Sequence, residues 1–262
     1  MYKYTQKLIE RKGYFTMAVT TQLETEQKIQ ALLGNEESTF NEEELQNGYN
    51  SFYNKVVKRV IDATVACIFA IVLLPFYIII GLCIVIESGT PVFYRADRGG
   101  YKGKPFKINK FRSMVKNADK IGGGTTALND SRITRVGAFL RKTKLDEIPQ
   151  LFNIISGNMS FIGPRPELLQ YTDNYDALEK NILNVRPGIT DFSSITFISL
   201  DEIVGDADAD EMYEKYVLKK KNALRLKYVK EVSFKTDTKL FFSTVFKVLD
   251  KTLAVLKKIF KK

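Results

Sequence analysis

The residues best suited to chemistry lie between positions 140 and 167, in LRKTKLDEIPQLFNIISGNMSFIGPRPE. Pro149 is tolerated in a helix only in its first turn. A helix is therefore expected to begin near Asp146–Ile148, run through Leu151, Phe152, Ile154 and Ile155, and stop at Gly157. Asp146 and Glu147 then sit at its N-terminus, where free N–H groups and the positive end of the dipole stabilise carboxylate and also attract phosphate. Arg141 lies five residues before Asp146. Pro164 and Pro166 hold Arg165 on a rigid loop, and Arg186-Pro187-Gly188 repeats the device. Fixed guanidinium forks suit phosphate oxygens. A carboxylate nucleophile among arginines suits phosphoryl transfer. Each part also has an ordinary reading: acidic residues cap helix starts, and Arg-Pro loops make turns and salt bridges.

Composition narrows the chemistry further. The 262 residues contain no His and two Cys. That excludes Ser-His and Cys-His catalysis, imidazole acid–base steps, HExxH zinc sites and any disulfide framework. Catalysis is left to carboxylates, Lys, Arg, Tyr, hydroxyls or a carboxylate-held metal. Forty Lys and Arg against thirty Asp and Glu give a net charge of +10. A polyanionic partner follows: nucleic acid, anionic lipid or a phosphorylated substrate. An apolar fraction of 45% supports a sizeable core.

The elements around this stretch are partly those of a membrane protein. Val60–Ile86, VIDATVACIFAIVLLPFYIIIGLCIVI, carries Asp62 as its one charge. As a helix it would reach about 40 Å, longer than a core helix that is apolar all round usually runs. Pro75 divides it into arms of about 22 and 16 Å, each short of a hydrocarbon core of roughly 30 Å. Both flanks are basic, with Lys55, Lys58 and Arg59 before it and Arg95, Arg98 and Lys102 after it. A simple span should be basic on one side only. The expectation is a re-entrant helix, broken near Pro75, that enters and leaves one leaflet. A Pro-kinked span is the alternative. Cys67 and Cys83 lie inside the segment as lipid-facing or packing residues.

After it, Val92–Tyr94 and Phe106–Ile108 flank Gly99, Gly100 and Gly103, a hairpin pattern crowded with Arg and Lys. That basic face is either solvated or laid on headgroups or phosphates. Gly122–Thr126 reads as a mobile linker, and residues 132–145 as a basic amphipathic stretch. In 239–262, Phe242, Val245, Phe246, Leu249, Leu253, Leu256 and Phe260 form a helical stripe. A core-packing helix fits that pattern equally well, but the upstream segment favours a helix in the membrane interface. Residues 1–50 hold no Pro, no apolar run for a secretory signal and many Glu. They read as a loose or helical extension outside the core.

The segments KRVIDAT…LLPFYIII, GTPVFYRADRGGYKGKPFKINKFRSM, SRITRVGAFLRKTKLDEIPQLFNIISGNMSFIGPRPE and VRPGIT together resemble the bacterial sugar transferases of the monotopic phosphoglycosyl transferase family. The resemblance covers about Lys55 to Tyr228 and continues weakly through YVKEVSFKTD. KFRSM, LDEIPQ and GPRPE in this order are highly specific. Residues 1–50 do not match and cannot supply the several N-terminal spanning helices of longer members, so a short member is expected.

The resemblance implies an α+β fold: a membrane-associated α/β globular domain with an N-terminal re-entrant helix broken at Pro75, a β-hairpin and interfacial amphipathic helices. The implied divisions are a variable extension (1–54), the re-entrant helix (55–88), the catalytic domain (89–235) and a basic amphipathic tail (236–262). It also implies that a phosphosugar passes from a nucleotide diphosphate sugar, usually UDP-linked, to polyprenol (undecaprenyl) phosphate, releasing UMP. This would be the first membrane step of glycoconjugate synthesis, on the cytoplasmic face of the bacterial inner membrane. By motif match, Asp146 would be the nucleophile that carries a covalent phosphosugar, with Glu147 as a general base or positioning group. Mg²⁺ would bridge Asp146 and the diphosphate. Arg141 and Arg165 would neutralise phosphate charge, with Lys110 and Arg112 close by and Pro164, Pro166 and Arg186 also in the substrate site. Membrane lipid is an implied partner, nucleic acid is not, and homo-oligomerisation stays open.

Two positions depart from the family pattern. Leu74 stands where members often have Ser before the membrane Pro, which removes a hydroxyl for a freed carbonyl. Asp191 follows RPGIT where many members have Gly, in a region able to shape the sugar pocket. A non-catalytic membrane scaffold would explain the charge and the apolar runs equally well, but not LDEIPQ beside GPRPE. A nucleic-acid binder rests on charge alone.

Overall fold

The computed structural model describes residues 40–121, 130–198 and 209–260. The Gly122–Thr126 loop and most of the acidic extension lie outside the described residues. The elements used below are α1 (Glu42–Asn50), α2 (Lys58–Val72), α3 (Leu74–Ser88), β1 (Phe93–Arg98), β2 (Phe106–Phe111), α4 (Arg135–Thr143), α5 (Gln150–Ile155), β3 (Ser160–Ile162), β4 (Gly188–Thr190), α6 (Phe192–Thr196), α7 (Lys219–Glu231) and α8 (Phe234–Phe260). The fold is mixed, with helices around two small sheets. β1 and β2 form the expected hairpin, pairing antiparallel from Phe93 opposite Phe111 to Arg98 opposite Phe106. β3 and β4 pair in parallel.

The apolar segment breaks at Leu73, two residues before Pro75, and bends by 61°. The shift follows from proline chemistry: Pro75 lies in the first turn of α3, where its missing N–H costs nothing. Among the described residues no single helix is long and apolar enough to cross a membrane; the bent pair together has that length and composition. Ile71, Val72, Phe76, Ile78, Leu82 and Ile86 all present apolar side chains outward. An exposed apolar surface of this kind marks an interaction with lipid or protein.

The base of the bent pair is pinned to the rest of the chain by polar contacts. Arg59 donates to the carbonyls of Ile154 (2.6 Å) and Ile155 (2.9 Å), closing the C-terminus of α5. Tyr77, on the other arm, donates to the Ile148 carbonyl at 3.0 Å. Asp62, the segment's charge, accepts from Ser160 at the start of β3 (2.6 Å). Lys58 meets Asp237 of α8 at 2.5 Å and Asp62 at 3.8 Å. Tyr53 and Tyr228 both donate to Asp237, each at 2.7 Å.

The first 50 residues do not all stand apart from the core, as their composition suggested. Asn41 caps α1 by accepting from the Glu43 N–H. Leu45 is 0% exposed and packs with Ile162, Leu226 and Val229. Gly48 lets α1 lie directly on α7, since a Cβ there would meet the Val229 carbonyl oxygen at 2.0 Å. One buried leucine in a polar helix is a weak sequence signal, which is why the contact escapes composition.

The basic amphipathic stretch forms α4, with Thr134 capping its start and Glu87 accepting from the Arg135 and Val136 N–H groups. The C-terminal helix begins at Phe234 rather than 239, because Ser233 Oγ accepts from the Thr236 N–H and extends it backward. Phe242, Val245, Phe246, Leu249 and Leu253 are exposed along one face. The side chains of Leu256 and Phe260 lie outside the described residues.

Removing one partner of a buried ion pair strands the other charge. Lys58→Met should therefore lower stability by about 3–5 kcal/mol, read as a reduced Tm of the detergent-solubilised protein. Lys58→Met combined with Asp237→Leu should recover part of that loss. A single variant that melts with the wild type would show that the network holds nothing.

Candidate active site

The chain leaves α4 through Lys144, a non-glycine residue in the left-handed region (φ 60°). That reversal sends Leu145–Glu147 into one turn of 3₁₀ helix before α5 starts at Gln150. Asp146 and Glu147 thus precede α5 rather than begin it. Ile148 and Pro149 keep right-handed helical angles, so the winding continues from Leu145 to Ile155.

The two carboxylates have different surroundings. Glu147, 9% exposed, is gripped from two sides. Lys110 Nζ on β2 donates to Oε1 at 3.1 Å. Arg165 makes a fork, one nitrogen to Oε2 at 3.0 Å and the other to Oε1, and also donates to the Ile189 carbonyl at 2.9 Å. Burial alone would raise the Glu147 pKa, but the Arg165 and Lys110 charges outweigh it and hold the carboxyl well below its usual range. Asp146, 4% exposed, has no such grip, and its Oδ1 finds no hydrogen-bond partner among the described residues. Burial pushes its pKa up, and the adjacent Glu147 charge adds to that. Lys110, Arg141 and Lys144 pull the other way without making contact. Glu147 is a fixed anion and Asp146 the adjustable member of the pair.

The expected site residues divide accordingly. Lys110, Asp146, Glu147 and Arg165 come together, with Arg141 in electrostatic reach. Pro164 and Pro166 flank Arg165 as expected. Gly163 lies so close to the chain at Arg186 that a Cβ would meet that carbonyl oxygen at 2.4 Å, and Pro164 accepts from the Gly188 N–H at 3.0 Å. The other two arginines are engaged elsewhere. Arg112 donates to the Ser88 carbonyl (2.9 Å), the Ser88 hydroxyl (2.8 Å) and the Gly89 carbonyl, closing the C-terminus of α3. Arg186 donates to the Gly157 carbonyl (3.2 Å) and lies 5.0 Å over the Tyr101 ring. Asp191 is committed to capping α6, accepting from the Ser194 N–H at 2.7 Å and from the Ser193 hydroxyl.

Sequence reasoning passed over Glu167, the last residue of GPRPE. Its carboxylate binds Arg225 and Tyr213 and lies 3.6 Å from Lys221. Its backbone carbonyl accepts from the Gly99 N–H at 3.0 Å. Burial would raise its pKa, but Arg225 and Lys221 lower it to about 2. The motif itself pointed to Glu167; Arg225, fully buried in α7, had no signal in the sequence. A shallow groove beside this loop is lined by Gly99, Gly100, Pro164, Arg165, Pro166 and Glu167.

Four cations and two carboxylates at one site leave an excess of positive charge suited to a diphosphate. Among the described residues no group of three or more His, Cys, Asp or Glu could hold a metal by protein ligands alone.

The sequence has known relatives. Residues 53–251 match the bacterial sugar transferase family, and the chain belongs to that family. It is 38% identical over 198 residues to the UDP-glucose:undecaprenyl-phosphate glucose-1-phosphate transferase of Escherichia coli (strain K12), a match covering 74% of this chain and 40% of that protein. It is 33% identical over 198 residues to the UDP-N-acetylgalactosamine-undecaprenyl-phosphate N-acetylgalactosaminephosphotransferase of Aeromonas hydrophila, covering 74% and 44%. The uncharacterized sugar transferase EpsL of Bacillus subtilis (strain 168) is 33% identical over 195 residues, covering 74% and 88%. The chain thus spans less than half the length of the first two relatives and most of the third.

The asymmetry of the carboxylate pair is directly measurable. In metal-free buffer, infrared difference titration of wild type against Asp146→Asn should place the Asp146 carboxyl above the ordinary value of 3.8. The same titration against Glu147→Gln should place Glu147 well below 4.5. Asp146 ionising at or below its ordinary value would contradict the geometry.

Proposed function

We propose that the protein transfers a phosphosugar from a UDP-sugar to undecaprenyl phosphate, with Asp146 as nucleophile. The observation that carries this reading is the unequal carboxylate pair of LDEIPQ: Glu147 is saturated by Lys110 and Arg165, while Asp146 keeps an unpartnered oxygen. The named relatives share undecaprenyl phosphate and a UDP-sugar and differ in the sugar, so the proposal is for that donor and acceptor class.

In the proposed first step an Asp146 carboxylate oxygen forms a bond to the sugar-bearing phosphorus. The bond from that phosphorus to the bridging oxygen breaks, and UMP leaves with the electron pair. In the second step a phosphate oxygen of undecaprenyl phosphate attacks the same phosphorus and frees the Asp146 carboxylate. Lys110, Arg141 and Arg165 stabilise the charge that spreads over the phosphoryl oxygens. Glu147 holds Lys110 and Arg165 in place, a positioning role its two ion pairs support. A buried Asp146 carboxylate with an unpartnered oxygen and no ion pair fits Mg²⁺, which takes one or two carboxylates together with phosphates and water. When bound through Asp146, the ion would supply neutralising charge to the diphosphate.

The proposed setting is the cytoplasmic face of the inner membrane, with α2 and α3 re-entering one leaflet and the apolar face of α8 lying in the interface. The 61° bend and the outward apolar side chains support this, as do the polar anchors that hold both arms to the same domain.

Two measurements test the reading. Asp146→Asn preserves size, so the fold should survive while UMP release falls by orders of magnitude. Intact-protein mass spectrometry should show a phosphosugar adduct on the wild type when acceptor is absent and none on the variant. A wild type that turns over with acceptor yet never carries the added mass, even with rapid quenching, would favour direct attack by the acceptor. For topology, single cysteines placed at Ser51 and Tyr94 in a background with Cys67 and Cys83 replaced by Ser should label from the same side. Labelling from opposite sides would establish a kinked span.

A further inference from the structure

Arg98, the last residue of β1, is half-buried. Among the described residues it makes no ion pair and one hydrogen bond, to the carbonyl of its own neighbour Asp97 at 2.9 Å. Lys110 and Arg165, by contrast, both pair with Glu147. A half-buried guanidinium with most of its five donors unmet is suited to an anion from outside the chain.

The hairpin sets Arg98 on the side of the site. Side chains alternate along a strand, and residues directly opposite in an antiparallel pair share a face. Tyr94 opposite Lys110, Ala96 opposite Ile108 and Arg98 opposite Phe106 therefore form one face, and its Lys110 reaches Glu147. The next residue, Gly99, donates its N–H at 3.0 Å to the carbonyl of Glu167, two residues after Arg165. Gly99 is packed so closely that a Cβ would meet the Thr172 side chain at 2.5 Å. Gly99 and Gly100 line the groove together with Arg165, and Arg98 directly precedes them.

Charge orders these parts. The groups acting most strongly on Asp146 are Lys110, Glu147, Arg141 and Lys144, whereas those acting most strongly on Arg98 are Tyr94, Glu167, Arg165 and Asp97. Arg165 is within electrostatic reach of both Asp146 and Arg98, which makes it the link between the nucleophile and the unpaired cation.

We infer that Arg98 is a substrate-binding residue whose guanidinium holds the nucleotide-side phosphate of the donor, the phosphate that departs in UMP. This rests on the transferase reading above. When the bond from the sugar-bearing phosphorus to the bridging oxygen breaks, the electron pair goes to that phosphate. The chain has no His to protonate it, and Lys110 and Arg165 already share their charge with Glu147. A guanidinium free of carboxylate meets the new charge without any proton transfer.

The test is Arg98→Met in the full-length, detergent-solubilised protein, with UMP and uridine as inhibitors of the transfer reaction. The Tm should match wild type, because no ion pair is lost. UMP should inhibit roughly 10- to 100-fold more weakly, inhibition by uridine should be unchanged, and formation of the phosphosugar adduct should slow. Wild-type inhibition by UMP overturns the proposal. Equal weakening of UMP and uridine also overturns it, since the side chain would then shape the groove rather than touch phosphate. So does a raised KM for undecaprenyl phosphate with UMP inhibition intact, which would assign Arg98 to the acceptor. A variant that keeps UMP inhibition but floats less with phosphatidylglycerol vesicles would place the guanidinium on headgroups and overturn it too. If the Met variant does not fold, Arg98→Gln serves: a folded protein with weakened UMP inhibition supports the proposal, and one inhibited like wild type overturns it. A wild type that releases UMP from no UDP-sugar overturns the transferase reading and this inference with it, whereas normal wild-type turnover isolates the question at Arg98.

Discussion

Glu147 carries the interaction on which the site's geometry depends. Its carboxylate joins Lys110 of the hairpin to Arg165 of the Pro-flanked loop, two segments far apart in the chain, and Arg165 continues to the Ile189 carbonyl of β4. Without it, Lys110 and Arg165 would repel each other across a partly desolvated site. With it, the charges are fixed at short range and Asp146 is left beside them unpaired. A second buried carboxylate, Glu167, does the same work a turn of loop away, tying GPRPE to Arg225 and Tyr213 of the C-terminal helices. The acids thus fall into two kinds: those consumed in holding the frame and the one the frame presents.

Much of this was legible in the sequence for reasons that can be named. Pro149 and Gly157 bracket α5 because both restrict backbone angles wherever they occur, and Gly157 does adopt a positive φ. The hairpin was legible from alternating β-type residues around glycines. Lys110 and Arg165 were legible through their motifs. Arg112 and Arg186 bond to backbone carbonyls, which the sequence could not announce: a guanidinium that caps a helix end or closes a turn has the same sequence signature as one that waits for phosphate. Arg59, Tyr77 and Arg225 carried no local signal at all. Their partners are backbone carbonyls and a carboxylate reached only through tertiary folding.

Hydropathy divides the chain sharply at residue 88, yet the contacts ignore that division. Asp62 is satisfied by Ser160 of β3, Arg112 closes α3, and Glu87 receives the first N–H groups of α4. The apolar segment is therefore as much a component of the globular unit as the strands are. Its Asp62 faces inward and its Ile80 and Ile84 pack in the core, while Ile71, Val72, Phe76, Ile78, Leu82 and Ile86 face outward.

For the protein engineer, the six residues of α5 set a limit on where this molecule can be cut. Both its ends are tied to the bent pair, Ile148 through Tyr77 and Ile154 with Ile155 through Arg59. A fragment trimmed to begin after Ser88 would look like a convenient soluble module on a hydropathy plot. It would expose three carbonyls, remove the Asp62 carboxylate from Ser160 and release the scaffold beneath Asp146. The boundary between greasy and charged sequence is a solubility boundary and not a folding one, so crystallisation or screening formats for this chain have to keep the insoluble part.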